Sequence, residues 1–306
     1  MRSHIIGTGS YAPPRIITNY DLEKMVDTSD EWITARTGIK ERRIADGETT
    51  NDIATKAAKN ALKAAGISSK DIDLIVVGTV TPEMLFPSTA CFIQSHISAN
   101  RGIPAFDVSA ACSGFLYALD VADKYMRGGI SQKALVVGVD IFSRIIDWKD
   151  RNTCVLFGDG AGAVVLSAEK GKHGILSSHI HADGHYWKTL YTPLGIASSP
   201  FQNKPPGNSY LKMQGNELFK IAVKTMGEAC QEALDHNGLK AEDISLLIPH
   251  QANVRIINAT AERLGLPEEK VYLNLDKYGN TSAGSIPLAL DEAVKKDMIK
   301  SGDIVL

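Results

Sequence analysis

The sequence repeats itself. Segment 71-DIDLIVVGT-79 follows the helical pattern 54-ATKAAKNALKAAGI-67, and 243-DISLLIPHQ-251 follows 222-AVKTMGEACQEALDHNGL-239 at an offset of 172 residues. The Ala-Leu-Asp that opens 118-ALDVADKYMRGGISQKALVV-137 returns 171 residues later in 289-ALDEAVKKDMIKSGDIVL-306. Two matches at nearly one offset mark a duplicated unit. Each copy alternates apolar strands with amphipathic helices, the pattern of α/β layers around largely buried sheets. The expected organisation is two duplicated halves, residues 1–170 and 171–306. After 134-ALVVGVD-140 the first half runs on to the Gly-rich strand 157-FGDGAGAVVLSA-168, whereas the second ends inside its matching strand at Leu306. The second half is therefore expected to be truncated, lacking its final strand, with about 20 to 30 residues more by analogy with the first. A sheet without that strand would have an unpaired edge.

Composition narrows the partners. A chain of 306 residues with 44% hydrophobic and 22% charged residues can bury a large site. A formal net charge of −2 lends no support to a nucleic-acid partner. No stretch reaches the ~18 apolar residues of a membrane span, and the start MRSHIIGTGSYAPP lacks the apolar run of a signal peptide. The four cysteines, at 91, 112, 154 and 230, form neither a CxxC pair nor a dense disulfide framework. A cytoplasmic protein with reduced thiols is expected, with no nucleic acid, membrane or metal as partner.

Cys112 sits at a corner. Residues 105–108 read as a short apolar strand, and Phe115, Leu116, Leu119, Val121, Ala122 and Tyr125 recur at helical spacing after Gly114. A thiol at the first turn of a helix meets the positive end of the helix dipole, which favours thiolate and makes Cys112 a candidate nucleophile. The alternative is a small apolar residue filling a tight corner. The repeat sets Cys112 against Ala283 in 279-GNTSAGSIPLALDEA-293, so the corner can be filled without sulfur.

His250 ends the apolar strand 243–249, and residues at the carboxyl ends of strands in α/β sheets face the ligand crevice. Asn280 follows an expected strand, 271-VYLNL-275, and a turn at Lys277, Tyr278 and Gly279. A structural histidine and a helix cap are the plain alternatives for the two. Under pseudo-twofold packing the Cys112 and Asn280 corners become equivalent loops that face one another with His250 between them, an activated-thiol arrangement. In 158-GDGAGAVVL-166 the glycines lead into a β-branched strand and do not open a helix, which excludes a dinucleotide fingerprint there. Cys91, Cys154 and Cys230 lie in apolar runs or on a helix face and read as structural.

Together AACSGF around Cys112, HQANVRI around His250 and GNTSAGS around Asn280 closely resemble the β-ketoacyl-acyl-carrier-protein synthase III family of the thiolase superfamily. The similarity extends to 30-DEWITARTGIKERRIA-45, 86-FPSTACFIQ-94, 157-FGDGAGAVVL-166 and 212-KMQGNELFK-220. The resemblance implies a thiolase-like five-layered αβαβα fold and a homodimer. It implies condensation of acetyl-CoA or another short acyl-CoA with malonyl-acyl carrier protein to begin fatty acid synthesis, with Cys112, His250 and Asn280 as catalytic residues. It implies no cofactor, acyl-CoA being a substrate.

Further residues transfer by the same resemblance. Trp32 and Arg151 match the pair that sandwiches the CoA adenine, Arg36 a phosphate contact, and Asn253 and Gly215 pantetheine contacts. Phe86 matches a residue that crosses the dimer interface into the partner's acyl pocket, and Arg255 and Lys220 match carrier-protein docking positions. The resemblance also implies an oxyanion hole with the Cys112 N–H as one donor and a Gly-rich loop beyond Leu306 as the other. Three alternatives stay open: a thioesterase or acyltransferase using the same thiol, a condensing enzyme of secondary metabolism, and an inactive pseudo-enzyme. Primer choice depends on packing around Phe86 and on the loop 185-HYWKTLYTPLGIASSP-200.

Overall fold

The computed structural model of the chain describes residues 1–193 and 210–306. Its main sheet has five strands, β1 (Arg2–Tyr11), β2 (Leu74–Gly78), β3 (Ala105–Val108), β4 (Lys133–Ile141) and β5 (Asp159–Glu169), in the order β1-β5-β4-β2-β3. β2 is parallel to β3 and β4, with Val76 opposite Phe106 and Val136. β5 runs antiparallel between β4 and β1, with Gly162 opposite both Gly138 and Ser10. Leu74, Ile75, Val76 and Val77 are all fully buried, as a sheet covered on both faces requires.

Seven helices of eight residues or more are present among the described residues: α1 (Asp30–Thr37), α2 (Thr50–Ala65), α3 (Thr89–His96), α4 (Gly114–Arg127), α5 (Gly215–Asn237), α6 (Val254–Leu264) and α7 (Ser285–Lys295). The start of α2 is fixed by a capping box between Thr49 and Asp52, and its end by Gly66 in the left-handed region. Helices α2 and α3 pack on Ile75, Val77, Leu135 and Val137, on one face of the sheet. The other face, carrying Val76, Val136 and Val164, takes α4 and α7. Both of these inner helices are also tied to β1 through fully buried carboxylates. Ser3 Oγ donates to Asp123 at 2.7 Å, and Thr8 Oγ1 donates to Asp291 at 2.8 Å.

Beyond α7 lie three short extended segments, in which Leu246 pairs with Val305 and Leu247 with Val271, both in parallel. Leu246 and Ile248 pack with Ala289 and Ala293 of α7. Leu247 packs the other way, with Leu234 of α5 and Ala261 and Leu264 of α6. That alternation is the two-residue period of a strand. The packing order is therefore helices, sheet, helices, paired segments, helices. Leu306 closes the pairing: Ile248 N donates to Leu306 O at 2.8 Å, and Leu306 N to Leu246 O at 3.0 Å.

Two expected strands are shorter than their apolar patterns. Ala241–Asp243 is a 3₁₀ turn, and of 271–275 only Val271 pairs, with Leu275–Tyr278 forming a helical turn. The side chain of Gln251 limits the second of them. Its amide donates to Pro249 O and Tyr272 O and accepts from Asn274 N, taking hydrogen bonds that a neighbouring strand would otherwise make. In the loop 185–200, residues 194–200 lie outside the described residues. No helix of the described residues is long and apolar enough to cross a membrane.

Candidate active site

The two corners meet. Ala111–Ser113 forms a 3₁₀ turn between β3 and α4, and Ser282–Gly284 forms another just before α7. Glycine makes their approach to the sheet feasible. A Cβ on Gly138 of β4 would lie 2.1 Å from Ala283 O, and one on Gly78 of β2 would lie 2.3 Å from the Gly114 carbonyl. Backbone therefore presses on backbone at the base of the site. The Asn280 loop is anchored from the first half as well, since Asn280 N donates to Leu156 O and Gly158 N to Asn280 O.

His250 is joined to the same place. Its Nδ1 lies 3.1 Å from Ser285 Oγ at the start of α7, and Gln251 N donates to that oxygen at 2.7 Å. With the amide donating to Ser285 Oγ, the hydroxyl's own hydrogen is free for His250 Nδ1, which leaves Nε2 to carry the ring proton. Asn280 is oriented by similar logic: its Oδ1 accepts from Ser282 N at 2.9 Å, leaving the side-chain NH₂ as an available donor. Both groups are thus prepared to donate.

Electrostatics corrects one expectation. The helix-start position of Cys112 favours thiolate, yet its thiol is pushed up to about 11, chiefly by desolvation and further by the Asp140 charge; Ser282 opposes the shift. The residue as a whole is only partly covered, but the loss of water around the sulfur outweighs the helix. Burial also lowers His250, to about 4, so that the imidazole is neutral at physiological pH.

Three side chains of this centre do not stand out in the sequence reading. Ser282 and Ser285 sit inside the GNTSAGS motif, hidden beside Asn280. Asp140, next to last in β4, is a fully buried carboxylate. Its Oδ1 accepts from Thr79 Oγ1, Val80 N, Thr81 N and Thr81 Oγ1, and its Oδ2 from Ala283 N at 3.2 Å. A carboxylate at the carboxyl end of an otherwise apolar strand was the available signal.

The expected CoA residues form a surface group of their own. The guanidinium of Arg36 lies 4.5 Å from the Trp32 ring centre and that of Arg151 lies 5.0 Å from it, so one indole meets two cations. Asn253 caps α6 through Arg255 N, and its Nδ2 donates to Arg36 O at 3.0 Å, which joins α6 to α1. Arg255 is exposed, with its guanidinium 5.6 Å from the Phe219 ring, and neighbouring Lys220 on α5 is exposed too. Gly215, also exposed, begins α5. Phe86 is 81% exposed beside Leu85 and Met84. A separate cavity of about 740 Å³, lined by His179, Glu232, His236 and Arg263 among others, includes none of the expected site residues. Among the described residues no three metal-ligating side chains cluster to hold an ion.

Comparison with known proteins gives a consistent picture. The family described as 3-oxoacyl-[acyl-carrier-protein] synthase III matches residues 106–184, and the C-terminal unit of that family matches 234–306. The β-ketoacyl-[acyl-carrier-protein] synthase III of Aquifex aeolicus is 53% identical, over 100% of this chain and 94% of its own length. That of Caldanaerobacter subterraneus is 54% identical, over 99% of this chain and 92% of its own length. The crystal structure of the 3-oxoacyl-[acyl-carrier-protein] synthase III of Aquifex aeolicus superimposes with a TM-score of 0.93 at 52% identity, covering 99% of this chain and 94% of that one. Each of these relatives is covered over 92% to 94% of its own length.

Proposed function

The chain belongs to the β-ketoacyl-[acyl-carrier-protein] synthase III family, and from that premise we propose how its own residues carry out the initiating condensation. Cys112 is the nucleophile. Its sulfur attacks the thioester of acetyl-CoA or another short acyl-CoA, CoA leaves as a thiol, and the acyl group stays on sulfur. Malonyl-acyl carrier protein then binds and loses CO₂. The resulting enolate oxygen is stabilised by His250 Nε2–H and the Asn280 side-chain NH₂, and its carbon attacks the acyl-Cys112 thioester to give the 3-ketoacyl product. The Cys112 backbone N–H serves the acyl oxygen.

The observation that carries this reading is the pair of donors at one corner, a neutral His250 held through Ser285 and an Asn280 amide held through the Ser282 N–H. A neutral imidazole that donates suits enolate stabilisation better than base catalysis. The adenine and phosphates of CoA bind at Trp32, Arg36 and Arg151, which is supported by the two cations already stacked on the indole. Asn253 and Gly215 line the pantetheine path, and Arg255 and Lys220 receive the acidic carrier protein. A second copy of the chain covers Met84, Leu85 and Phe86, supported by their exposures of 47%, 63% and 81%. Four free cysteines support a reducing, cytoplasmic setting.

The test is the mass of the intact chain after incubation with acetyl-CoA. One acetyl group should appear on the wild type and be absent from Cys112→Ala, and malonyl-acyl carrier protein should then convert it to 3-ketoacyl product. Acyl release that does not depend on the malonyl substrate would identify a thioesterase instead.

A further inference from the structure

Ser282 combines two features that seldom coincide without a purpose. Its backbone lies at φ 51°, the left-handed region that suits glycine. Its hydroxyl is fully buried yet has no hydrogen-bond partner among the described residues, although buried hydroxyls as a rule find one. The turn that carries it packs on the Cys112 turn, the next residue's Ala283 N donates to Asp140 Oδ2 at 3.2 Å, and Ser282 lowers the pKa of both the Cys112 thiol and the Asp140 carboxyl. Strain of this kind, kept beside a nucleophile, points to a working group.

Among the described residues the site also lacks a base for Cys112. Burial holds the thiol up at about 11. His250 is poorly basic, and its Nδ1 faces Ser285. Asp140 is the remaining titratable group against the turn, and burial raises it above the usual carboxylate range, which makes it a better proton acceptor. Its Oδ1 receives four donors, whereas Oδ2 receives one, Ala283 N, from the residue next to Ser282.

We propose that Ser282 relays the Cys112 proton to Asp140 as the sulfur attacks the acyl thioester. The inference rests on Cys112 being the acylated residue. The S–H bond breaks, its electron pair forms the new S–C bond, and the proton goes to Ser282 Oγ. In the same step Ser282 gives its own proton to Asp140 Oδ2. When the tetrahedral adduct collapses, the proton returns from Asp140 through Ser282 to the departing CoA sulfur, and Asp140 ends ionised as it began. As the S–C bond forms, the carbonyl π pair moves to oxygen while Asp140 is neutralised, so the relay exchanges one buried anion for another and never creates a second, which is the favourable course where water is scarce.

The test is the rate of acetyl transfer from acetyl-CoA to Cys112 in the full chain, followed by intact mass from pH 6 to 10 in the wild type, Ser282→Ala and Ser282→Gly. The glycine variant suits the left-handed backbone and serves where the alanine variant does not fold. The expected result is at least a tenfold loss near neutral pH that shrinks steadily as pH rises, because a thiol that ionises directly no longer needs a relay. A loss of the same size at every pH marks a structural role and overturns the relay. Wild-type rates in both variants also overturn the relay but leave Cys112 as the nucleophile. A wild type that takes up no acetyl group overturns the relay and the proposed function together.

Discussion

Ala111 and Ser282 adopt the same left-handed backbone, with φ of 46° and 51°, and each stands at the turn that leads into one of the two inner helices. Neither is glycine, so both turns store strain, about 1 kcal/mol or more each. Ala111 tolerates the conformation because its side chain is a single methyl. A β-branched residue does not. Ala111→Val should lower unfolding stability by at least ~2 kcal/mol in denaturant titrations and slow acetyl uptake by Cys112, whereas Ala111→Gly should fold with little loss.

The depressed pKa of His250 sets a sign for pH. The ordinary imidazole value is 6.5 and the folded value is about 4. Below pH 6.5 the unfolded chain therefore binds more protons than the folded one at this residue. The stabilising contribution is complete above pH 6.5 and is lost as pH falls towards 4, up to ~3 kcal/mol in all. Unfolding midpoints measured between pH 4 and 7 should fall less steeply for His250→Gln than for the wild type. Condensation by the wild type should show no acid limb near pH 6.5.

Ser285 satisfies both Gln251 N and His250 Nδ1. In Ser285→Ala the fully covered Gln251 amide loses its acceptor, which should cost ~1–3 kcal/mol in denaturation experiments. His250 also loses the hydroxyl that fixes its tautomer. Condensation should fall more than acetyl loading when the two half-reactions are timed separately, and Ser285→Thr should restore part of the loss.

Two guanidinium groups, of Arg36 and Arg151, lie over the Trp32 ring at 4.5 and 5.0 Å from its centre. Trp32→Ala removes one stacking surface from both, and interactions of this kind are worth ~0.5–2 kcal/mol. The KM for acyl-CoA should rise about 2- to 30-fold, while kcat at saturation changes little. Steady-state kinetics with acyl-CoA varied against fixed malonyl-acyl carrier protein will separate the two.

Much of the centre is legible in the sequence because its residue types are rare in their settings. A lone thiol at a strand–helix corner marks Cys112, and a histidine closing an apolar strand marks His250. What escapes are properties that depend on neighbours distant in the chain. The dipole argument favours a thiolate at Cys112, but desolvation and the Asp140 charge, contributed from β4, prevail. Segment 271-VYLNL-275 reads as a strand by its alternation, yet the Gln251 amide intercepts the hydrogen bonds that would extend it. Ser285 resembles any other serine until Gln251 N is found bonded to it.

The glycines at 78 and 138 have a consequence for how such a protein can change over time. Because the two turns rest on bare main chain there, their separation is fixed by covalent geometry and sheet spacing, and no exchange of side chains can adjust it gradually. Even one added methyl at either position must displace a backbone. Variation is therefore channelled away from these contacts, to exposed side chains such as Met84, Leu85 and Phe86. Descendants of this chain can diversify on the surface far more readily than at the seam where the two turns meet.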